Sequence, residues 1–212
     1  MPKAVIVLGG ETPAPELLKE HLDGAYVSIA ADSGLEGFKQ AGLKANLAVG
    51  DFDSFIGDPG YHADTCVHAP EQDATDFQKA LRHIKDPTPD LQIVILGGTG
   101  RRADHFLTNL LIVAEKWPEV SIEFHDTEQS IYRVSSKCPF NSDQFRPGLT
   151  VSLIPMSQAH GVNTEGLYWE LNNASMKPEG QLGQSNVLQT SPLRVSINAG
   201  SLFIIVNHFE QS

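Results

Sequence analysis

Several carboxylates in this chain stand just where a short apolar run stops. Gly50-Asp51-Phe52-Asp53-Ser54 follows the apolar Leu47–Val49. In extended backbone, residues two apart point the same way, so Asp51 and Asp53 would present their carboxylates on one face. Anions that close repel unless a cation lies between them, and hard oxygen ligands suit Mg²⁺. The plain alternative is a solvated acidic turn. Ala31-Asp32-Ser33-Gly34 follows Tyr26–Ala30, and there Asp32 either meets a ligand or caps the next helix. In Gln72-Asp73-Ala74-Thr75-Asp76, Asp73 and Asp76 have the spacing of a helix cap, and both suit the positive end of a helix dipole. The functional reading gives Asp76 to metal or substrate and the Gln72 amide to a polar ring.

A fourth segment, Gly97-Gly98-Thr99-Gly100-Arg101-Arg102-Ala103-Asp104-His105, follows the apolar Leu91–Leu96. Glycines here let backbone N–H groups approach phosphate oxygens, and Arg101 or Arg102 can neutralise them with forked hydrogen bonds. The loop lacks the Gly-Lys-Ser/Thr ending of a Walker loop and the spacing of a dinucleotide fingerprint. A glycine turn before a helix capped by Asp104 is the structural alternative.

These segments need strands to end beside one another. Ala4–Leu8, Tyr26–Ala30, Leu47–Val49, Thr65–Val67, Leu91–Leu96 and Ser121–Phe124 read as buried strands. Between them Phe77, Ala80, Leu81 and Ile84, and again Leu107, Leu110, Leu111 and Ala114, recur at helical spacing, predicting helices with an apolar stripe on the sheet. The expectation for residues 1–125 is an α/β domain, a mainly parallel sheet flanked by helices, with ligands at the strand ends. Residues 126–212 read as an all-β sandwich: Thr150–Met156, Gly166–Leu171, Leu193–Asn198 and Ser201–Asn207 are the clearest strands, with a tight hairpin turn at Asn198-Ala199-Gly200-Ser201.

Composition sets the outer bounds. The 212 residues are 41% hydrophobic, enough for a core, and carry a formal net charge of −11. That balance argues against nucleic-acid binding through phosphate neutralisation, and an acidic protein that handles a polyphosphate must draw cations from elsewhere. No apolar run reaches the roughly 20 residues of a membrane span, and the start is too short for a signal peptide, so a cytoplasmic location is expected. Cys66 and Cys138 fit neither a zinc spacing nor a disulfide framework and read as packing residues. His62 and His68 read as surface or loop positions, and His105 as a donor at a helix start.

Taken in order, Ala-Asp-Ser-Gly, Gly-Asp-Phe-Asp-Ser, Gln-Asp-Ala-Thr-Asp-Phe and Gly-Gly-Thr-Gly-Arg-Arg-Ala-Asp-His resemble the thiamine pyrophosphokinase family. Gly166-Leu167-Tyr168-Trp169-Glu170-Leu171 and Ser185-Asn186 resemble that family's C-terminal motifs. The resemblance implies an ATP- and Mg²⁺-binding catalytic domain at 1–125, a thiamine-binding sandwich at 126–212, and a homodimer with its active site at the subunit interface. It further implies transfer of pyrophosphate from ATP to the hydroxyl of thiamine, leaving AMP. Carried onto this sequence, Asp51, Asp53 and Asp76 become metal and catalytic carboxylates and Arg102 a catalytic phosphate contact. Asp32, Ser54, Gln72, Asp73, Thr99, Gly100, Arg101, Asp104, Ser185 and Asn186 become substrate- or ATP-binding residues. The Gln72 position often holds lysine in the bacterial members, and no aromatic residue follows Ser185-Asn186, which leaves Trp169 either a stacking wall or a sandwich-core residue. Competing functions are another ATP-dependent pyrophosphokinase, acting for example on a pterin, and a non-catalytic sensor of nucleotide or thiamine diphosphate.

Overall fold

The computed structural model describes residues 1–180 and 183–209. In chain order the N-terminal elements are β1 (Lys3–Val7), α1 (Pro15–Leu22), β2 (Ala25–Ala31), α2 (Leu35–Ala41), β3 (Ala45–Gly50), β4 (Ala63–His68), α3 (Asp76–Leu81), β5 (Gln92–Leu96) and α4 (Ala103–Ala114). After β6 (Ser121–His125) come β7 (Gln129–Ser135), β8 (Phe140–Ser142), β9 (Thr150–Pro155), β10 (Ala159–Glu165), β11 (Ala174–Met176), β12 (Gly183–Val187), β13 (Leu193–Ser196) and β14 (Ser201–Asn207). The chain forms two compact units, Met1–Ile112 with Phe124–Thr127, and Val113–Glu123 with the residues from Glu128 onward.

In the first unit, strands run parallel in the order β5-β1-β2-β3-β4. Ala4, Val5, Ile6 and Val7 of β1 are fully buried, as expected of a strand covered on both faces. Strand order reverses at β1, which lies between β2 and β5. Open α/β sheets bind ligands outside the carboxyl ends of strands at such a reversal. The α/β expectation holds here, with one correction. On α4, Leu110, Val113 and Ala114 are buried, but Leu107 and Leu111 of the predicted stripe are 54% and 61% exposed. The buried face is rotated towards Asn109 and Val113, which the sequence periodicity of leucines alone did not indicate.

The second unit holds two antiparallel sheets, β12-β9-β14-β7 and β11-β10-β13-β8. Val151, Leu153, Leu202 and Ile204 of the first pack with Val162, Leu193 and Val195 of the second in one core, the sandwich pattern. Arg133 of β7 is buried and donates to the carbonyls of Val113, Lys116, Trp117 and Val120. Its guanidinium thereby adds donors to carbonyls at and beyond the end of α4, where helical partners run out. Two expectations fail in this unit. Asn198–Ser201 is not a hairpin turn, since β13 pairs with β10 and β8 while β14 pairs with β7 and β9; the turn carries the chain from one sheet to the other. Gly166–Leu171 is not a strand; it is a loop with a single bridge, Leu167 to Leu188.

Candidate active site

A cleft of about 700 Å³ opens at the carboxyl ends of the parallel strands. Its floor forms where backbones pack too closely for side chains. Gly10 N donates to Gly97 O at 2.8 Å and Glu11 N to Thr99 O at 2.9 Å, joining the loop after β1 to the loop after β5. A Cβ on Gly10 would lie 2.4 Å from both the Gly97 and Thr99 carbonyl oxygens, so only glycine fits.

On one wall, Asp32 and Asp51 line the cleft, and Asp53 beside them completes a group in which each offers an oxygen within 4.8 Å of the others. Asp32 stands in a short 3₁₀ turn after β2, nearly buried, at φ +46°. Its Oδ1 accepts from Phe52 N at 3.0 Å and its Oδ2 from the Ser54 hydroxyl at 2.5 Å. Asp51 and Asp53 do not lie in extended backbone as expected: Phe52 between them takes φ +60°. The carboxylates meet because the chain turns, with Asp53 N donating to Asp51 Oδ1 at 3.3 Å. Phe52 still packs against the core of the unit. That N–H is the main cause holding the Asp51 carboxyl below its ordinary pKa, while the charge of Asp51, the largest cause, pushes Asp53 above its own. Like charges this close raise the proton affinity of one partner.

Across the cleft, the predicted Asp73–Asp76 cap is replaced by another. Thr75 is the N-cap of α3, its hydroxyl accepting from Gln78 N at 3.2 Å and the Gln78 amide oxygen accepting from Thr75 N at 2.9 Å. A reciprocal capping box satisfies the helix start, so Asp73 and Asp76 are not used as caps, and both line the cleft. Asp76 is outside the three-carboxylate group and accepts from Lys79 Nζ at 3.2 Å. Gln72 lines the same wall, its amide donating to Pro70 O at 3.2 Å.

The third side is the glycine loop and the start of α4. Gly100, Arg101, Arg102 and Asp104 line the cleft, Arg101 at φ +49°. Arg102 grips Asp104 with both ends of its fork, Nε to Oδ1 at 3.1 Å and Nη2 to Oδ2 at 2.5 Å. The hydrogen bond from Arg102 is the main reason the Asp104 pKa falls to about 2. Thr99 is buried, and its hydroxyl donates to Asp126 at 2.7 Å; it braces the loop. His105 lines the cleft as well.

Ser185 and Asn186 lie on β12 in the second unit. Ser185 is exposed, at φ +58°. Asn186 is buried, and its side chain is used on backbone: Oδ1 accepts from Trp169 N at 3.1 Å and from Val187 N at 2.8 Å, and Nδ2 donates to Trp169 O at 2.8 Å. Trp169 is not a core residue. It is 60% exposed, its ring edge-on to that of Tyr168. Cys66 is likewise exposed rather than packed.

The family model of the thiamin pyrophosphokinase catalytic domain matches residues 18–123, and that of the thiamin pyrophosphokinase vitamin B1 binding domain matches residues 140–202. The chain belongs to the thiamin pyrophosphokinase family. Thiamine pyrophosphokinase of Bacillus subtilis is 29% identical over 211 residues, spanning 94% of this chain and 96% of that one. Among solved structures, thiamine pyrophosphokinase from Bacillus subtilis superposes with TM-score 0.79 at 26% identity, covering 97% of this chain and 98% of that one. Thiamin pyrophosphokinase from Geobacillus thermodenitrificans gives 0.79 at 25% identity, covering 98% of each. The resemblance read from the motifs is thus borne out, as is the fold it implied.

The motifs did not point to Gly9, Gly10 and Lys79, all of which line the cleft. A Gly-Gly pair directly after a buried first strand was the available signal for the glycines. Lys79 carried little signal, because a lysine three residues after an aspartate in a helix is ordinarily a solvated partner.

Proposed function

We propose that this chain transfers the pyrophosphoryl group of ATP to the hydroxyl of thiamine, giving thiamine diphosphate and AMP. The observation that carries the reading is the group of Asp32, Asp51 and Asp53 oxygens within 4.8 Å, of which Asp32 and Asp51 line the same cleft as a glycine and arginine loop. An acidic group fits a nucleotide site when a divalent cation belongs to it. The donors are all oxygens, the raised Asp53 carboxyl reports repulsion that a cation relieves, and this is the ligand chemistry of Mg²⁺. Asp51 and Asp53, with Asp32 in place of the Asp76 expected from sequence, would hold the metal. Once bound, Mg²⁺ supplies charge neutralisation at phosphate oxygens.

The chain's own groups do the positioning on which phosphoryl-type transfers depend. Backbone N–H groups of the glycine loop and the Arg102 guanidinium take up phosphate charge, and Asp104 holds that guanidinium in place. The thiamine hydroxyl oxygen bonds to the β-phosphorus as the bond to the bridging oxygen of AMP breaks. A cleft carboxylate, Asp51 or Asp76, takes the hydroxyl proton. Asn186 holds the segment bearing Tyr168 and Trp169, and their exposed rings suit a flat cationic heterocycle. A homodimer accords with the exposed Leu107 and Leu111 on α4. Among the described residues no helix is long and apolar enough to cross a membrane, and we place the activity in the cytoplasm.

The test is AMP release from ATP and Mg²⁺ with thiamine present or absent. Thiamine-dependent AMP is the expected result. Release with a pterin alcohol but not thiamine, or nucleotide binding without AMP, would transfer the assignment to another pyrophosphokinase or to a sensor.

A further inference from the structure

Lys79 stands out against the acidic cleft because it is buried. Its side chain is 4% exposed, while the Asp76 that it contacts is 48% exposed. Burying an ammonium is costly unless it is paired and hydrogen-bonded. A helix-surface pair of this i,i+3 spacing contributes too little to account for the burial. Nζ donates to Ala69 O at 2.9 Å and to Asp76 Oδ1 at 3.2 Å. An ammonium carries three donors, so these two described acceptors leave one. Lys79 lines the cleft, and its charge also reaches Asp51 from the α3 side. The other cleft cations differ: Arg102 is 66% exposed and forked onto Asp104, and Arg101 is exposed on its loop.

We infer that Lys79 is a binding residue for the phosphoryl oxygens of the transferred group: a fixed, desolvated cation on the α3 wall whose remaining N–H donor serves the substrate anion. The inference rests on the proposed function, and it adds a residue and a role that the motifs did not supply. A point charge held by Ala69 O and Asp76 needs no reorganisation when the anion arrives, which is where such groups are most effective. Asp76 is then partly a positioning residue, aiming the ammonium.

The test compares wild type with Lys79→Gln, which can still donate to Ala69 O but is neutral, and with Lys79→Arg. Expected for Lys79→Gln is a fall of about 100-fold in kcat/KM for ATP, with partial recovery in Lys79→Arg and thiamine binding, read by tryptophan quenching, within about twofold of wild type. Thermal protection by Mg²⁺ with inorganic pyrophosphate should also be lost in Lys79→Gln. A folded Lys79→Gln with kcat/KM within about threefold of wild type and undiminished pyrophosphate protection would overturn the role. Should Lys79→Gln fail to fold, Lys79→Met, which leaves only the half-exposed Asp76 carboxylate without its partner, is read instead, and the same two outcomes decide on that variant. If wild type itself releases no thiamine-dependent AMP, the functional reading falls, while the pyrophosphate-protection arm still tests Lys79.

Discussion

After β2 and β3 the chain gathers carboxylates by bending its backbone. Asp32 and Phe52 both take positive φ, and Gly50 permits Asp32 to approach, since a Cβ there would lie 2.9 Å from the Asp32 Cα and Cβ. After β10 the segment from Gly166 to Leu171 is held in place by side chains: Asn186 bonds both backbone polar groups of Trp169, and Glu170 accepts from Leu167 N at 2.9 Å and from the Thr164 hydroxyl at 2.5 Å. Backbone strain suits a group of like charges that must stay close against repulsion. A side-chain clamp suits exposed rings that have no repulsion to resist. The difference implies that the acidic wall should tolerate almost no change in backbone geometry, whereas the aromatic segment should depend on one buried amide.

Asp53→Asn tests the first half most severely. It should reduce turnover by about 100- to 1000-fold while thermal stability stays level or rises, because removing one of two like charges relieves repulsion. AMP release and a melting curve read both; unchanged turnover across a magnesium titration would break the metal assignment. Gly50→Ala comes next. The new Cβ meets Asp32 backbone, so a loss of about 2–3 kcal/mol is expected in urea unfolding, with activity falling alongside. A wild-type unfolding midpoint would show that the bend is soft.

Asn186→Ala probes the other region. Leaving the Trp169 backbone groups without their partner should cost about 2 kcal/mol, shift tryptophan emission, and raise KM for thiamine more than it lowers kcat. An equal fall in kcat and kcat/KM would instead point to a contact made only in the transition state. The smallest effect on stability is at Arg102. With its carboxyl held at about 2, below the ordinary 3.8, Asp104 contributes to the pair above about pH 4 and loses that contribution as pH falls towards 2. Arg102→Ala should let the Asp104 titration climb towards 3.8 in a carbon NMR experiment. Stability should barely change, since exposed ion pairs contribute little.

Much of this arrangement was legible beforehand. Buried strands such as Ala4–Val7 announce themselves as continuous apolar runs, and Asp51, Asp53 and Asp32 stand directly after such runs. What misled were local patterns with more than one physical cause. Gly166–Leu171 has strand composition, yet outside the backbone bonds around its one bridge it is held by the Asn186, Glu170 and Thr164 side chains and not by a continuous ladder. Asp73 and Asp76 have cap spacing, but Thr75 and Gln78 take the cap two residues later, because a hydroxyl with a matching amide closes both orphan N–H groups at once. Trp169 looked like core because large aromatics in sandwiches usually are. Arg133 gave no sign that four carbonyls awaited it.

From sequence alone come the order of apolar runs, their ends, and the acidic and glycine motifs placed at those ends; hydrophobic periodicity is a local property and can be read along the chain. Tertiary structure decided which ends meet: that Asp32 and not Asp76 joins Asp51 and Asp53, that Gly10 seals the floor against Gly97 and Thr99, and that Lys79 is buried. Those outcomes depend on strand order and close backbone approach between segments far apart in the chain. No local pattern encodes such distances; they exist only once the sheet has formed.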